Sequence, residues 1–131
     1  MNADDLRALF EPFGAVVVKR MFGGYGIYAD GFCFAIASGG EAFLKVDSET
    51  EAAFFAAGSS PFVYHTKGKP TPMSYWRLPA EAYDDADALR RWAALGLDAA
   101  RRTAAAKAKP GKAIKPGKDI GKTTDAERRS R

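Results

Sequence analysis

The chain has 131 residues, 47% of them apolar, with one cysteine and one histidine, so its length suits a single domain with an appendage. One cysteine excludes a disulfide within the chain, and one cysteine with one histidine excludes a zinc site built from the usual Cys and His ligands. The formal net charge of +4 is unevenly spread, because residues 1–98 carry 9 Lys and Arg against 13 Asp and Glu, whereas residues 99–131 carry 11 against 3.

The N-terminal segment predicts a helix that begins after Asn2. Asn2 is a favourable cap, and Asp4 and Asp5 place negative charge in the first turn, where it suits the helix dipole. The apolar residues follow helical spacing and form one face: Leu6, Leu9, Phe10 and Phe13. Pro12 and Gly14 then end the helix.

The next segment combines three glycines with aromatic and aliphatic residues. It contains Arg20, Met21, Phe22, Gly23, Gly24, Tyr25, Gly26, Ile27 and Tyr28. Glycine inside a strand marks a bulge or a close backbone approach, so we predict one bent strand that packs tightly at its middle. A phosphate-binding loop is the alternative, but neither the dinucleotide nor the Walker spacing fits, and no helix follows. We therefore interpret the segment as structural.

The middle of the chain predicts an antiparallel meander. Strands at residues 25–29 and 32–38 are joined by Asp30-Gly31, a dipeptide that favours a tight hairpin turn. Gly39-Gly40 leads into a third strand at 42–46, in which Lys45 lies on the face opposite Leu44 because side chains alternate.

The following segment predicts two helices and two strands. Ser48 with Glu51 has the form of a capping box and opens a short helix that carries Phe54 and Phe55. Strands at 62–66 and 73–78 flank a basic turn at 67–70. Asp84 with Asp87 marks the start of the last helix. Its apolar face is formed by Leu89, Trp92, Ala93, Gly96 and Ala100, where Gly96 should allow close packing on the sheet.

From Lys107 the composition changes to Lys, Pro and Gly, and Lys-Pro-Gly-Lys occurs at 109–112 and again at 115–118. Such a segment cannot form a core, so we predict a domain at residues 1–106 and a disordered basic tail at 107–131. Its lysines would attract polyanions without sequence specificity. The candidate DNA-binding residues are Lys107, Lys109, Lys112, Lys115, Lys118 and Lys122. A solubilising extension is the alternative.

The sequence contains no convincing catalytic set, so we expect a protein that is not an enzyme and that has no cofactor or metal. His65 has no serine or cysteine companion in sequence and is interpreted as a surface or hydrogen-bonded histidine. In the run Ser74-Tyr-Trp-Arg77, we expect Trp76 to pack under the helices and Tyr75 and Arg77 to share the other face. Aromatic residues beside arginine also suit stacking on bases or capture of a peptide.

Several of these motifs occur in the order found in one family. The glycine-containing segment at 20–28 is followed by Phe34-Ala-Ile36, Leu44-Lys-Val-Asp47, Pro61-Phe62 and Ser74-Tyr-Trp-Arg77. Over about residues 4–105 the chain resembles the N-terminal domain of the bacterial TfoX/Sxy proteins.

The resemblance implies an α+β fold, a two-layer α/β sandwich with an antiparallel sheet. Its element order would be helix, three or four strands, helix, two strands, helix, similar to secretion chaperones and YgaC-like proteins. It also implies a regulatory role, since full-length members act in natural competence, where they assist a cyclic-AMP receptor protein at promoters. Full-length members continue into a second helical domain, whereas this chain continues into the Lys-Pro-Gly tail.

Three functional hypotheses follow. The first is a cytoplasmic regulatory or adaptor protein that contacts the transcription machinery near DNA, with the tail adding non-specific affinity for phosphates. The second is a module that binds a small ligand or peptide on the concave sheet face through Tyr28, Lys45, Tyr75 and Arg77. The third is an enzyme that uses His65 and a nearby carboxylate. No signal-peptide pattern or long apolar run occurs, so no membrane contact is expected. Pairing of sheet edges into a homodimer is left open.

Overall fold

The computed structural model describes residues 1–21, 23–66 and 68–108. Within these ranges, only the backbone is described for residues 64–66, 70–72 and 108. The fold is α+β, with the predicted order of helix, four strands, helix, two strands and helix. The helices are α1 (Ala3–Phe10), α2 (Glu51–Ala56) and α3 (Ala86–Ala108), with a 3₁₀ turn at Ala80–Tyr83. The strands are β1 (Val17–Met21), β2 (Gly24–Ala29), β3 (Phe32–Ser38), β4 (Glu41–Lys45), β5 (Pro61–Thr66) and β6 (Lys69–Arg77). They form one antiparallel sheet in the order β1-β2-β3-β4-β6-β5.

Helix α1 forms as its sequence predicts. The Asn2 side chain accepts a hydrogen bond from the Asp5 N–H (2.9 Å), and the Asp5 carboxylate accepts one from the Asn2 N–H (3.0 Å). This reciprocal pair satisfies two backbone donors at the start of the helix. Leu6 and Phe10 are fully buried against the sheet, so the predicted cap and apolar face are both confirmed.

The glycine-containing segment is a hairpin, and the prediction of one bent strand is wrong. Gly23 has a left-handed backbone (φ +78°) that reverses the chain, and Met21 then pairs with Gly24. The predicted close approach is confirmed at Gly24, because a Cβ there would overlap the carbonyl oxygen of Ala37 in β3. Phe22 lies outside the described residues.

Strands β2 and β3 form the predicted hairpin, with Asp30 (φ +51°) and Gly31 (φ +81°) both left-handed as a type I′ turn requires. The pairing changes from Ile27 opposite Ala35 to Tyr28 opposite Cys33. One residue of β3, Phe34, is therefore extra, which defines a β-bulge.

The bulge sets which β3 side chains face the helices. Phe34 and Ala35 are consecutive and both fully buried, so both point into the core. Cys33 and Ile36 consequently lie on the opposite face of the sheet, where their partners are Tyr28 and Gly26.

Neither predicted helix cap lies where the sequence placed it. The N-cap residue of α2 is Thr50, whose side chain makes no capping hydrogen bond, so the predicted capping box of Ser48 and Glu51 does not form. Before α2, Asp47 rather than Ser48 accepts hydrogen bonds, from the N–H groups of Glu49 (3.1 Å) and Thr50 (3.2 Å). Before α3, the cap is Asp85 rather than Asp84, with its oxygen 2.9 Å from the Asp87 N–H. Asp84 instead ends the 3₁₀ turn, which the sequence did not predict.

The core lies between the helices and one face of the sheet. Gly96 of α3 allows the predicted close packing, since a Cβ there would lie 3.2 Å from both Leu44 Cδ2 and the Phe34 carbonyl oxygen. We call the other side of the sheet the helix-free face. It presents Tyr28, Cys33, Ile36, Phe43, Lys45, Tyr75 and Arg77. No described helix combines the length and apolar character needed to cross a bilayer.

Candidate ligand site on the helix-free face

A cavity of about 360 Å³ opens on the helix-free face. Its walls are mainly apolar and include Met21, Ile36, Ser38, Phe62, Met73 and Tyr75. Its volume falls in the range of about 300–1,000 Å³ that is usual for small-molecule pockets. The cavity is therefore large enough for a small organic ligand.

The curl of the sheet creates this cavity. Met21 belongs to the edge strand β1, whereas Met73 belongs to β6 at the other end of the sheet, yet both line the same space. The Phe62 ring of β5 packs on Phe43 of β4, with 4.8 Å between ring centroids. The sheet thus bends around its helix-free face, as strongly twisted sheets do, and Phe43 is buried although none of the described helices covers it.

A group of polar side chains adjoins the cavity at Tyr75. The Tyr75 hydroxyl lies 3.5 Å from the carbonyl oxygen of Cys33 and 3.7 Å from its Sγ. Burial raises the pKa of Tyr75, and the negative charge of an ionised Cys33 thiol would raise the pKa of Tyr28. Both hydroxyls therefore stay protonated at neutral pH and can donate hydrogen bonds.

Two lysines lie over the two tyrosine rings. Lys45 Nζ is 5.0 Å from the Tyr75 ring centroid and donates to Ser74 Oγ (2.6 Å), while Lys19 Nζ is 5.0 Å from the Tyr28 ring centroid. Burial and the nearby Lys107 lower the pKa of Lys45. Among the described residues no carboxylate lies within ion-pair distance of Lys45 or Lys19. Both cations are positioned by aromatic rings and not by carboxylates, so each can still bind an anion.

Gly26 makes room for this group. A Cβ at Gly26 would lie 2.5 Å from Met21 Sδ, 3.1 Å from Tyr28 Cε1 and 3.6 Å from Cys33 Sγ. The three side chains converge above Gly26 only because the residue there has no side chain. Gly26 thus shapes the site as well as the strand.

The other predicted site residues do not line the cavity. Arg77 shares the helix-free face but pairs with Glu41 (3.3 Å), and its guanidinium lies over the Phe43 ring. Trp76 packs against the core on the helix side, as expected. Arg20 is exposed and pairs with Tyr25, and it does not belong to the cavity wall.

Several predicted residues cannot be placed in the site. Lys107 belongs to the last turn of α3, whereas Lys109, Lys112, Lys115, Lys118 and Lys122 lie outside the described residues. The domain boundary at 106 and the disordered tail stay predictions. The backbone of His65 is described in β5, but its side chain is not.

Cys33 also belongs to the group of side chains around Tyr75, although its place between two phenylalanines did not indicate a role in a site. The one sign in the sequence is that the two residues after Cys33, Phe34 and Ala35, are both apolar. A β-bulge explains this pattern, but the bulge becomes visible only when the strand register is known. In the described part of the chain no group of three His, Cys, Asp or Glu side chains is placed to hold a metal ion.

A family model described as the TfoX N-terminal domain matches residues 8–100. The matched range contains the whole sheet, α2 and most of α3. No curated protein matches the chain.

Proposed function

Because the chain belongs to the TfoX N-terminal domain family, we propose that it is a regulatory protein that acts by binding and not by catalysis. The family match over residues 8–100 carries this proposal, since the TfoX N-terminal domain is not a known enzyme family. The partner we propose is a component of the transcription machinery, in natural competence a cyclic-AMP receptor protein, as the resemblance implies.

The proposed contribution of the tail is non-specific contact with DNA. Residues 99–131 carry 11 Lys and Arg against 3 Asp and Glu, so this part of the chain attracts phosphates, whereas residues 1–98 carry a net negative charge. Each lysine that neutralises a phosphate releases a counterion, which makes binding strongly dependent on salt.

A duplex-DNA titration at two salt concentrations tests this contribution in the full chain. The variant replaces Lys109, Lys112, Lys115, Lys118 and Lys122 with Gln, which keeps chain length and leaves α3 intact. We expect weaker binding and a salt slope that falls by about 0.9 for each phosphate that the variant no longer neutralises. The control, Lys69→Gln, removes one exposed charge from β6 and should bind as the unmodified chain does. An unchanged affinity and slope in the tail variant would refute DNA contact through the tail.

The partner proposal has a separate test. The chain is added to a cyclic-AMP receptor protein already bound to promoter DNA, and the mobility of the complex is measured. A slower complex that forms with the tail variant as well would support a protein contact made by the domain. No change in mobility with either form would count against this partner.

A second candidate function is binding of a small ligand on the helix-free face. The cavity of about 360 Å³ beside Lys45 favours it. A ligand that binds only the native state must raise the melting temperature. The proposed site comprises Met21, Gly26, Tyr28, Cys33, Lys45 and Tyr75.

A further inference from the structure

We propose that the cavity on the helix-free face binds a small organic carboxylate, with the apolar body inside the cavity and the carboxylate at Lys45. This inference rests on the second candidate function and names the chemistry of its ligand. It also predicts which residue distinguishes a charged ligand from a neutral one.

The apolar body follows from the cavity walls. Met21, Ile36, Phe62 and Met73 supply thioether, aliphatic and aromatic surface, and few polar atoms lie between them. Methionine side chains adapt to ligand shape and make favourable contacts with aromatic rings. A flat aromatic or short aliphatic group therefore fits better than a sugar or another strongly hydrated group. The limited volume also disfavours a long peptide, which would need an extended groove.

The negative charge follows from Lys45. This side chain is half-buried between Tyr75 and Ser74, and none of the described carboxylates pairs with it. Partial burial gives this cation a desolvation cost that a bound anion would offset. Lys45 is not itself part of the cavity wall, but it lies over the ring of Tyr75, which is. The carboxylate would therefore be held at the edge of the cavity, beside that ring.

The neighbouring groups agree with an anion at this position. Lys19 adds a second positive charge over the Tyr28 ring, and the Tyr28 and Tyr75 hydroxyls are donors at neutral pH. The charge of Asp47 reaches Lys45, but this carboxylate is paired with Arg102. Glu41 is paired with Arg77. A carboxylate needs only one cation and one or two donors, so it fits this set better than a phosphate dianion does.

Matched acids and amides test the proposal in the full chain. The probes are phenylacetate and indole-3-acetate with phenylacetamide and indole-3-acetamide, measured by calorimetric titration and by melting temperature. We expect each acid to bind about tenfold more tightly than its amide, because the acid gains one charge-assisted hydrogen bond. Lys45→Met should remove this preference, so that each acid binds no more tightly than its amide. Lys69→Met, which removes the same charge elsewhere, should keep the preference.

Met73→Trp tests the location. Met73 is 38% exposed, so a larger side chain can be accommodated by the fold while it fills the cavity. Both acid and amide should then lose binding, with an unchanged near-ultraviolet circular dichroism spectrum as the check on folding. Binding that persists in Met73→Trp would place the ligand elsewhere and overturn the proposal.

The remaining outcomes separate the inference from the function on which it rests. Equal binding of acids and amides, lost in Met73→Trp but unaffected by Lys45→Met, would refute the carboxylate and leave the ligand site standing. No binding of any probe at millimolar concentration would overturn both the inference and the second candidate function. The DNA and partner tests above would be unaffected by either result.

Discussion

Asp47 connects the end of β4 to the last helix, and its replacement is the most informative test of the fold. Its two carboxylate oxygens accept hydrogen bonds from Arg102 Nε (2.6 Å) and Nη2 (3.1 Å). One of them also caps the turn before α2 through the N–H groups of Glu49 and Thr50. The Asp47 side chain is only 18% exposed, so solvent screens this pair less than it screens a surface pair.

The expected magnitudes follow from those contacts. Loss of the cap costs about 1 kcal/mol, and loss of the bidentate pair costs about 1–2 kcal/mol because Arg102 is partly exposed. Asp47→Ala should therefore lower the free energy of unfolding by about 2–3 kcal/mol. Asp47→Asn keeps one oxygen for the cap and should cost about 1 kcal/mol. Urea unfolding at pH 7 measures both values.

The pH dependence gives a second measurement. Hydrogen bonding from Arg102 lowers the pKa of Asp47 below its ordinary value of 3.8. The folded state thus binds the proton less readily than the unfolded state, so the stabilisation is present above pH 3.8 and is lost as pH falls through the folded pKa. The stability difference between the unmodified chain and Asp47→Asn should shrink over that acidic range.

A matched control separates this pair from general surface charge. Glu49 also lies near Arg102, with Oε2 3.2 Å from Nε, but is 66% exposed. Glu49→Gln should therefore cost no more than about 0.5 kcal/mol. Equal costs for Asp47→Asn and Glu49→Gln, or a difference that does not change in acid, would refute this account of Asp47.

Two further comparisons test packing by urea unfolding. Gly24→Ala should lower the free energy of unfolding by about 1–3 kcal/mol, because the new methyl group overlaps a backbone oxygen of β3 that cannot rotate away. Gly26→Ala should lower it less, because the Met21 side chain can move. A larger loss for Gly26→Ala than for Gly24→Ala would contradict this packing. Phe54→Ala should lower the free energy of unfolding by about 3–5 kcal/mol because Phe54 is fully buried. Phe55 is 74% exposed, so Phe55→Ala should change it by no more than about 0.5 kcal/mol. Similar losses for the two variants would mean that α2 presents a different face to the core.

Much of the fold could be predicted where a local signal and the tertiary structure agree. Asn2 with Asp5, the Asp30-Gly31 turn and the apolar face of α3 around Gly96 each act within a few residues or along one face, and each is confirmed. The predicted caps at Ser48 and Asp84 are wrong because neighbouring polar residues are almost equivalent locally. Asp47, which accepts the hydrogen bonds of the turn before α2, is also held by Arg102, 55 residues away in sequence, and no local pattern shows that contact.

The candidate site was harder to predict because it depends on register and curvature. The strand assignment of Tyr28, Lys45 and Tyr75 placed them on one face, and the structure agrees. The bulge at Phe34 brings Cys33 to the same face. The sequence does not reveal this bulge, because nothing local distinguishes Phe34 as the extra residue from its apolar neighbour Ala35. The cavity joins Met21 to Met73 through the curl of the whole sheet, which no local pattern encodes.

Helix α3 ends beside the candidate site, since Lys107 is near enough to Lys45 to lower the pKa of that lysine by repulsion. A carboxylate bound at Lys45, as proposed above, would also lie in the field of the positive charge of Lys107. The ligand and the last turn of α3 would then stabilise each other, and thermodynamic reciprocity requires that each does so by the same factor.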